Sequence, residues 1–275
     1  MDYFVQEYSR GLTPNPCVVC NREIKCGILL EKAKALGARW LATGHYARTG
    51  WDESRQRYAI RQAVDDRKDQ SYVLFQLTQE QLSHLLFPLG EKTKDEVRRY
   101  AREAGLQVAE KPESMELCFI PDGDTKGFLR ARAPEGFQTG DIVNRQGKIL
   151  GTHQGMAAYT VGQRKGLGIA HPKPLYVLSL DPSTNRVIVG EEEELAAVSC
   201  EVKDLFWGAL SSLTEPCDAL VKVRYRSDKI PVRLIPAGEN IRVEFKGAVA
   251  GGVSPGQAAV FYEEDVILCG GTITK

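Results

Sequence analysis

Thr13-Pro14-Asn15-Pro16-Cys17-Val18-Val19-Cys20-Asn21 leads into the run on which the fold reading rests, residues 21–45. From Asn21 to Leu36, Ile24, Ile28, Ala35 and Leu36 recur at helical spacing, and Gly37 stands where a helix would stop. Arg39-Trp40-Leu41-Ala42-Thr43 then reads as a short buried strand ending at Gly44-His45. Two capping boxes follow, Thr78 with Gln81 and Thr93 with Glu96. The second opens a helix that carries Val97, Tyr100, Ala101 and Ala104 on one face and halts at Gly105. Helix and strand in alternation predict an α/β layer over residues 1–125.

Beyond residue 125 the helical signals stop. Asp141-Ile142-Val143 and Lys148-Ile149-Leu150, joined by a polar turn, predict a hairpin, as do Leu175 to Leu180 and Arg186 to Val189. Glu191 to Glu194 reads as a solvated linker. From Cys200 onward, short Val/Ile/Phe-rich runs between Gly- and Pro-containing turns predict a small β-barrel or sandwich. The expected domains are 1–125, 126–195 and 196–275, an α/β part followed by all-β parts. The chain has 275 residues, with 36 basic against 36 acidic side chains, which excludes binding driven by overall charge but not a local basic patch. No apolar run approaches a membrane span, so no membrane association is expected.

Seven cysteines, an odd number, fit a reduced cytoplasmic chain better than a secreted disulfide scaffold. The prolines stiffen a loop before a helix expected to begin near Asn21, which would put Cys20 at the helix N-terminus, where a thiolate is favoured. Three readings of Cys17 and Cys20 stand open: half a zinc site without completing ligands, a redox pair or lone nucleophile, or buried structural thiols. Cys118, before Phe119-Ile120, reads on its own as packing, and Cys26, Cys200, Cys217 and Cys269 as core or surface thiols. Gly44-His45-Tyr46 follows a strand at the end where open α/β sheets bind ligands. Lys68-Asp69-Gln70-Ser71 on its own is a polar turn. Lys222, Arg224 and Arg226, alternating along an expected strand, would share one face and could follow a phosphate backbone.

In order, these segments resemble the tRNA-specific 2-thiouridylases, the MnmA/TrmU family. The resemblance lies in Thr13 to Cys20-Asn21, Arg22 to Lys25, Ala42 to Tyr46, Lys68 to Tyr72, Phe87 to Gly90 and Ser114 to Ile120. It continues through Gly151 to Gly155, Thr160 to Gly168, Arg224-Tyr225-Arg226 and Ser254 to Gln257. It implies a nucleotide-binding α/β domain of the PP-loop type, a small central domain and a C-terminal β-barrel. The implied activity is transfer of sulfur to C2 of the wobble uridine, with ATP (magnesium its counter-ion) as co-substrate. By resemblance Cys20 is the nucleophile, and Cys118 carries a persulfide from a sulfur-relay protein or cysteine desulfurase. Asn15, Pro16 and Cys17 would face the target base and Gly44 ATP. His45, Lys68, Asp69, Gln70, Arg224, Tyr225 and Gln257 would contact tRNA. Neither DNA nor a resident metal is implied, and a Cys20–Cys118 disulfide would form transiently.

Two departures from the family carry expectations. Nothing in residues 1–16 resembles the Ser-Gly-Gly-x-Asp-Ser-like loop that cradles the pyrophosphate, so about the first third of the nucleotide-binding domain is expected to be missing and ATP binding weak. The strand at Trp40 to Thr43 would then lack neighbours and leave apolar surface open, favouring self-association. Cys17 stands where relatives often carry an acid, and it could act as a base only as a thiolate. Rival readings are a non-catalytic tRNA-binding remnant and a thiol-redox or zinc protein.

Overall fold

The computed structural model describes residues 1–110, 117–249 and 251–274. After helix α1 (Asp2–Ser9), a continuous helical rod runs through α2 (Pro16–Cys20), a π-helical stretch (Asn21–Ile28) and α3 (Leu29–Ala35). Gly27 accommodates the widened turn, since a Cβ there would lie 2.7 Å from the Arg22 carbonyl oxygen. The rod buries Val18, Asn21, Cys26 and Leu30, while Ile24, Ile28 and Leu36 are exposed. A helix is present as expected, but its first part is π-helical and it buries a different face.

Strand β1 (Leu41–Ala42) is followed by the hairpin β2 (Ala47–Asp52) and β3 (Arg57–Gln62), then by β4 (Leu85–Leu86). β1 pairs with β4 in parallel, so the expected neighbourless strand has one partner. Trp40 and Leu86 nevertheless stay exposed beside it. Both predicted capping boxes are present, at α4 (Gln79–Ser83) and α5 (Lys94–Glu103).

Helical structure does not stop at residue 125. The Asp124 carboxylate accepts from the Gly127 amide at 2.9 Å and caps α6 (Thr125–Arg132). The middle sheet follows, built from β5 (Gly140–Val143), β6 (Ile149–His153), β7 (Tyr176–Asp181) and β8 (Arg186–Gly190) in the order β6-β5-β8-β7. Ile142, Val177, Val187 and Val189 fill its core. The run Glu191 to Glu194, expected to be a linker, instead caps a helical turn, α7 (Glu192–Leu195), by a capping box.

Strands β9 (Ala197–Trp207), β10 (Cys217–Lys222), β11 (Ile230–Ala237), β12 (Asn240–Val249), β13 (Ala258–Glu263) and β14 (Val266–Ile273) close into a six-stranded barrel, because β13 pairs with both β10 and β14. Closure leaves no free strand edge in this unit. Its β14 also joins β3 at Val266 and Arg61, which sews the first hairpin onto the barrel. Residues Ser71 to Leu77 are buried in succession, and Tyr72, Leu74 and Phe75 share one core cluster with Ala258, Val260 and Tyr262 of β13. The α/β part and the barrel therefore share a core. Among the described residues no helix is long and apolar enough to cross a membrane.

Candidate functional site

Asn15 is the N-cap of α2, its Oδ1 accepting from the Val18 amide at 3.4 Å, with Pro16 in the first turn. Proline suits that place because its missing N–H has no helical partner there anyway. The helix therefore begins five residues before the expected start at Asn21. Cys17, not Cys20, occupies the first turn, and Cys20 lies one turn inside, where the dipole advantage has largely faded. Spaced three apart, the two cysteines share one face of the helix.

Cys17 is exposed, yet its packed surroundings push the thiol pKa up. Lys25 pulls it down, and the thiols of Cys118 and Cys20 add to the rise. Cys118, 98 positions after Cys20, is thus near enough to act on Cys17, one helical turn from Cys20. Its neighbours place it there. Leu117, Phe119 and Ile120 pack into a small cluster with Phe4 and Leu129, Phe119 standing edge-on to Phe4 at 5.4 Å. Cys118 itself remains exposed between them. The preceding Ser114-Met115-Glu116 of the same motif lies outside the described residues.

The remaining thiols are core groups, apart from half-buried Cys217. Burial pushes Cys26 up to about 11 and Cys200 and Cys269 up to about 12. Among the described residues no three His, Cys, Asp or Glu side chains are placed to hold a metal ion.

A cleft of about 650 Å³ gathers Gly44, Lys68, Asp69, Gln70 and Tyr225, all singled out in the sequence. Arg67, Lys94, Lys222 and Arg226 line it too, against the acids Asp66, Asp69 and Asp228. Sequence reasoning did not find Lys94. It sits at the first position of α5, where its backbone amide donates to Asp65 Oδ2 at 3.1 Å, and its ammonium stands 5.4 Å from the Tyr46 ring centroid. The Thr93 capping box that precedes it was the available signal.

Two residues expected on RNA are turned inward. Asp69, 5% exposed, accepts from the Ala63 and Ser71 amides, the Ser71 hydroxyl and Gln62 Nε2. His45, 7% exposed, pairs through Nδ1 with Thr43 Oγ1 at 2.7 Å and lies edge-on to Phe87. Burial, aided by Lys25, lowers its pKa from 6.5 to about 4. A depressed folded-state value means that the neutral imidazole stabilises the protein fully above pH 6.5, and that this contribution is lost as pH falls towards 4. About 3 kcal/mol is at stake. His45→Gln cannot titrate and is expected to flatten the denaturant-stability profile in that window.

The expected alternation of Lys222, Arg224 and Arg226 along one strand fails. β10 ends at Lys222, and the chain turns at Arg224, whose carbonyl accepts from Ser227 Oγ at 2.9 Å. Arg224 is thereby sent to a second cleft, with Thr13, Thr160, Gln163 and Gln257, where it donates to the Gly251 carbonyl at 2.7 Å. Apart from His45, the candidate RNA residues thus fall in two clefts, with Asn15, Cys17 and Cys20 on the rod.

Residues 1–122 match the family described as a tRNA methyl transferase HUP domain, residues 126–191 a tRNA methyl transferase PRC-barrel domain, and residues 197–273 an aminomethyltransferase beta-barrel domain. The chain is 47% identical over 277 aligned residues to the tRNA-specific 2-thiouridylase MnmA of Symbiobacterium thermophilum, covering 100% of this chain and 71% of that protein. It is 46% identical to MnmA 1 of Caldanaerobacter subterraneus, over 99% of this chain and 75% of the relative. With MnmA of Geotalea uraniireducens the identity is 50%, over 99% and 72%. On the strength of relatives this similar over its whole length, the chain belongs to the MnmA/TrmU family of tRNA-specific 2-thiouridylases.

Proposed function

We propose that the chain acts as a tRNA 2-thiouridylase at the wobble uridine, with Cys118 as persulfide carrier and Cys20 as the thiol that resolves it. The observation that carries this reading is the exposed Cys118, anchored by the Phe4–Phe119 cluster and near enough to act on Cys17, one helical turn from Cys20. ATP, as co-substrate, would supply the AMP that turns the C2 oxygen of uridine into a leaving group. Gly44 offers it an open surface, since a Cβ there would meet only Leu89 Cδ1, at 3.7 Å.

The protein's share of the chemistry follows from its thiols. A persulfide on Cys118 presents a soft nucleophile near neutral pH, which a hydroxyl would not. When Cys20 Sγ attacks Cys118 Sγ, the persulfide S–S bond breaks and its electron pair leaves on the outer sulfur, which is delivered to C2. A Cys20–Cys118 disulfide results, and an external thiol reductant reopens it. A sulfur-relay protein or cysteine desulfurase would reload Cys118 at its exposed position. The basic cleft receives tRNA phosphates, and the target base leaves the anticodon stack at a cost of a few kcal/mol.

The test is 2-thiouridine formation in unmodified tRNA with ATP and a persulfide donor, read by nucleoside mass spectrometry. RNA binding without product would return the non-catalytic reading. Cys17 receives no role as a base, because its raised pKa keeps it a thiol at neutral pH. Removing a general base costs about 10²–10⁴ in rate, so Cys17→Ser is expected to stay well above that loss, within about threefold of the parent. A hundredfold drop restored by raising pH would make Cys17 the base.

A further inference from the structure

The barrel loop Ser254-Pro255-Gly256-Gln257 reaches out of its own unit and grips the segment that leads into the reacting helix. The Thr13 amide donates to the Pro255 carbonyl at 2.9 Å, and Gln257 Nε2 donates to the Thr13 carbonyl at 2.9 Å. Both backbone polar groups of Thr13 are thus held by one loop. The approach is close enough to require glycine at 256. Its φ is +89°, and a Cβ there would lie 2.8 Å from the Thr13 nitrogen and 2.9 Å from Leu12 Cβ.

The loop is itself braced. The Gly256 amide donates to the Ile273 carbonyl at 2.9 Å, and the Ile273 amide donates to the Gln257 carbonyl at 2.8 Å, tying it to the end of β14. Ser254 Oγ, buried, donates to the Val161 carbonyl at 3.1 Å in the middle part. A third hold acts two residues beyond Thr13. Tyr72, 0% exposed, donates its hydroxyl to the Ala258 carbonyl at 2.9 Å, directly after the loop. The Asn15 side chain stands near that same hydroxyl, where it works against the rise that burial gives the Tyr72 pKa.

We propose that Gln257 and Tyr72 are positioning residues: the barrel loop fixes Thr13 and Asn15, and so sets the aim of the Cys17–Cys20 helical turn. Neither touches a reacting atom. They act through the N-cap, because residues 13–15 decide where α2 begins and the direction in which it leaves. This gives Gln257 a task within the protein, separate from the RNA contact implied by resemblance. For its consequence in catalysis it rests on the thiouridylase reading. The geometric claim does not, and its test uses neither ATP nor RNA.

The experiment measures the alkylation rate of each cysteine in the full chain by iodoacetamide, resolved by peptide mass spectrometry. Half-buried Cys217 on β10 serves as internal reference. In Gln257→Ala and in Gln257→Glu, which keeps the shape but loses the donor, the Cys20 rate is expected to rise about three- to tenfold, the shift that follows loss of one hydrogen bond. The Cys217 rate and the melting temperature should stay near the parent values. Tyr72→Phe removes one hydroxyl and is expected to raise the Cys20 rate likewise, so the proposal stays testable should a Gln257 variant fold poorly. A Cys20 rate equal to that of the parent in both Gln257→Glu and Tyr72→Phe would overturn it.

Discussion

Cys118→Ser is expected to abolish sulfur acceptance by the protein, and Cys20→Ser to trap the accepted sulfur. The three proteins should differ in product, not only in rate. After incubation with a persulfide donor and removal of excess, the parent chain should carry a Cys20–Cys118 disulfide. Cys20→Ser should keep one extra sulfur on the Cys118 peptide, because no thiol at position 20 attacks it. Cys118→Ser should show neither species, since an oxygen cannot hold a persulfide. Thiolation of tRNA should fall at least about a thousandfold in both variants, as is usual when a covalent nucleophile is removed. The exposed setting of Cys118 is the reason to expect loading without unfolding. Cys17, one helical turn from Cys20 and near enough to Cys118 to feel its charge, is the obvious substitute in Cys20→Ser. Its raised pKa makes it a slow one, so a Cys17–Cys118 disulfide should appear late and in minor yield. Equal thiolation by either serine variant and the parent would refute the relay.

Much of this architecture was legible because its signals are local. Thr78 and Thr93 announce their helices through side chains three residues away, and the polar turn at Asn144 closes its hairpin as read, with Asn144 Oδ1 accepting from the Gln146 and Lys148 amides. The helix start at Asn15-Pro16 was also present as a signal, an N-cap residue followed by proline, but two prolines in four residues favoured a loop reading. Asp124 was a similar cap passed over, which hid α6. Other features had no local signal. The π-helical stretch at Asn21–Ile28 depends on how the rod packs, and no propensity marks it beyond Gly27. Arg224 left its expected face because Ser227 supports a turn there. The approach of Cys118 to Cys17, and the burial of His45 and Asp69, are tertiary facts. Polar residues in a motif identify the segment, while the fold decides which of them face outward.

Asp69 is where that distinction has the largest energetic consequence. Its carboxylate accepts from two backbone amides and two side chains, Ala63 and Ser71 through nitrogen, Ser71 through its hydroxyl, and Gln62 through Nε2. Those bonds bend the chain so that Lys68 and Gln70 line the basic cleft, with the Gln70 amide donating to the Tyr46 carbonyl at 2.7 Å. Asp69→Ala strands these donors in a buried place, each unsatisfied group costing about 1–3 kcal/mol. Relaxation recovers part of that, so a net loss of about 2–4 kcal/mol is expected, seen as a fall in melting temperature of roughly 5–10 °C. Asp69→Asn should cost less, because the amide oxygen still serves the two backbone donors while its NH₂ meets the Gln62 donor. RNA affinity should fall with stability in both variants. Electrostatics alone predicts the reverse, since removing an acid from a basic cleft should strengthen phosphate binding. An unchanged melting temperature combined with weaker RNA binding would therefore put the Asp69 carboxylate on the RNA after all.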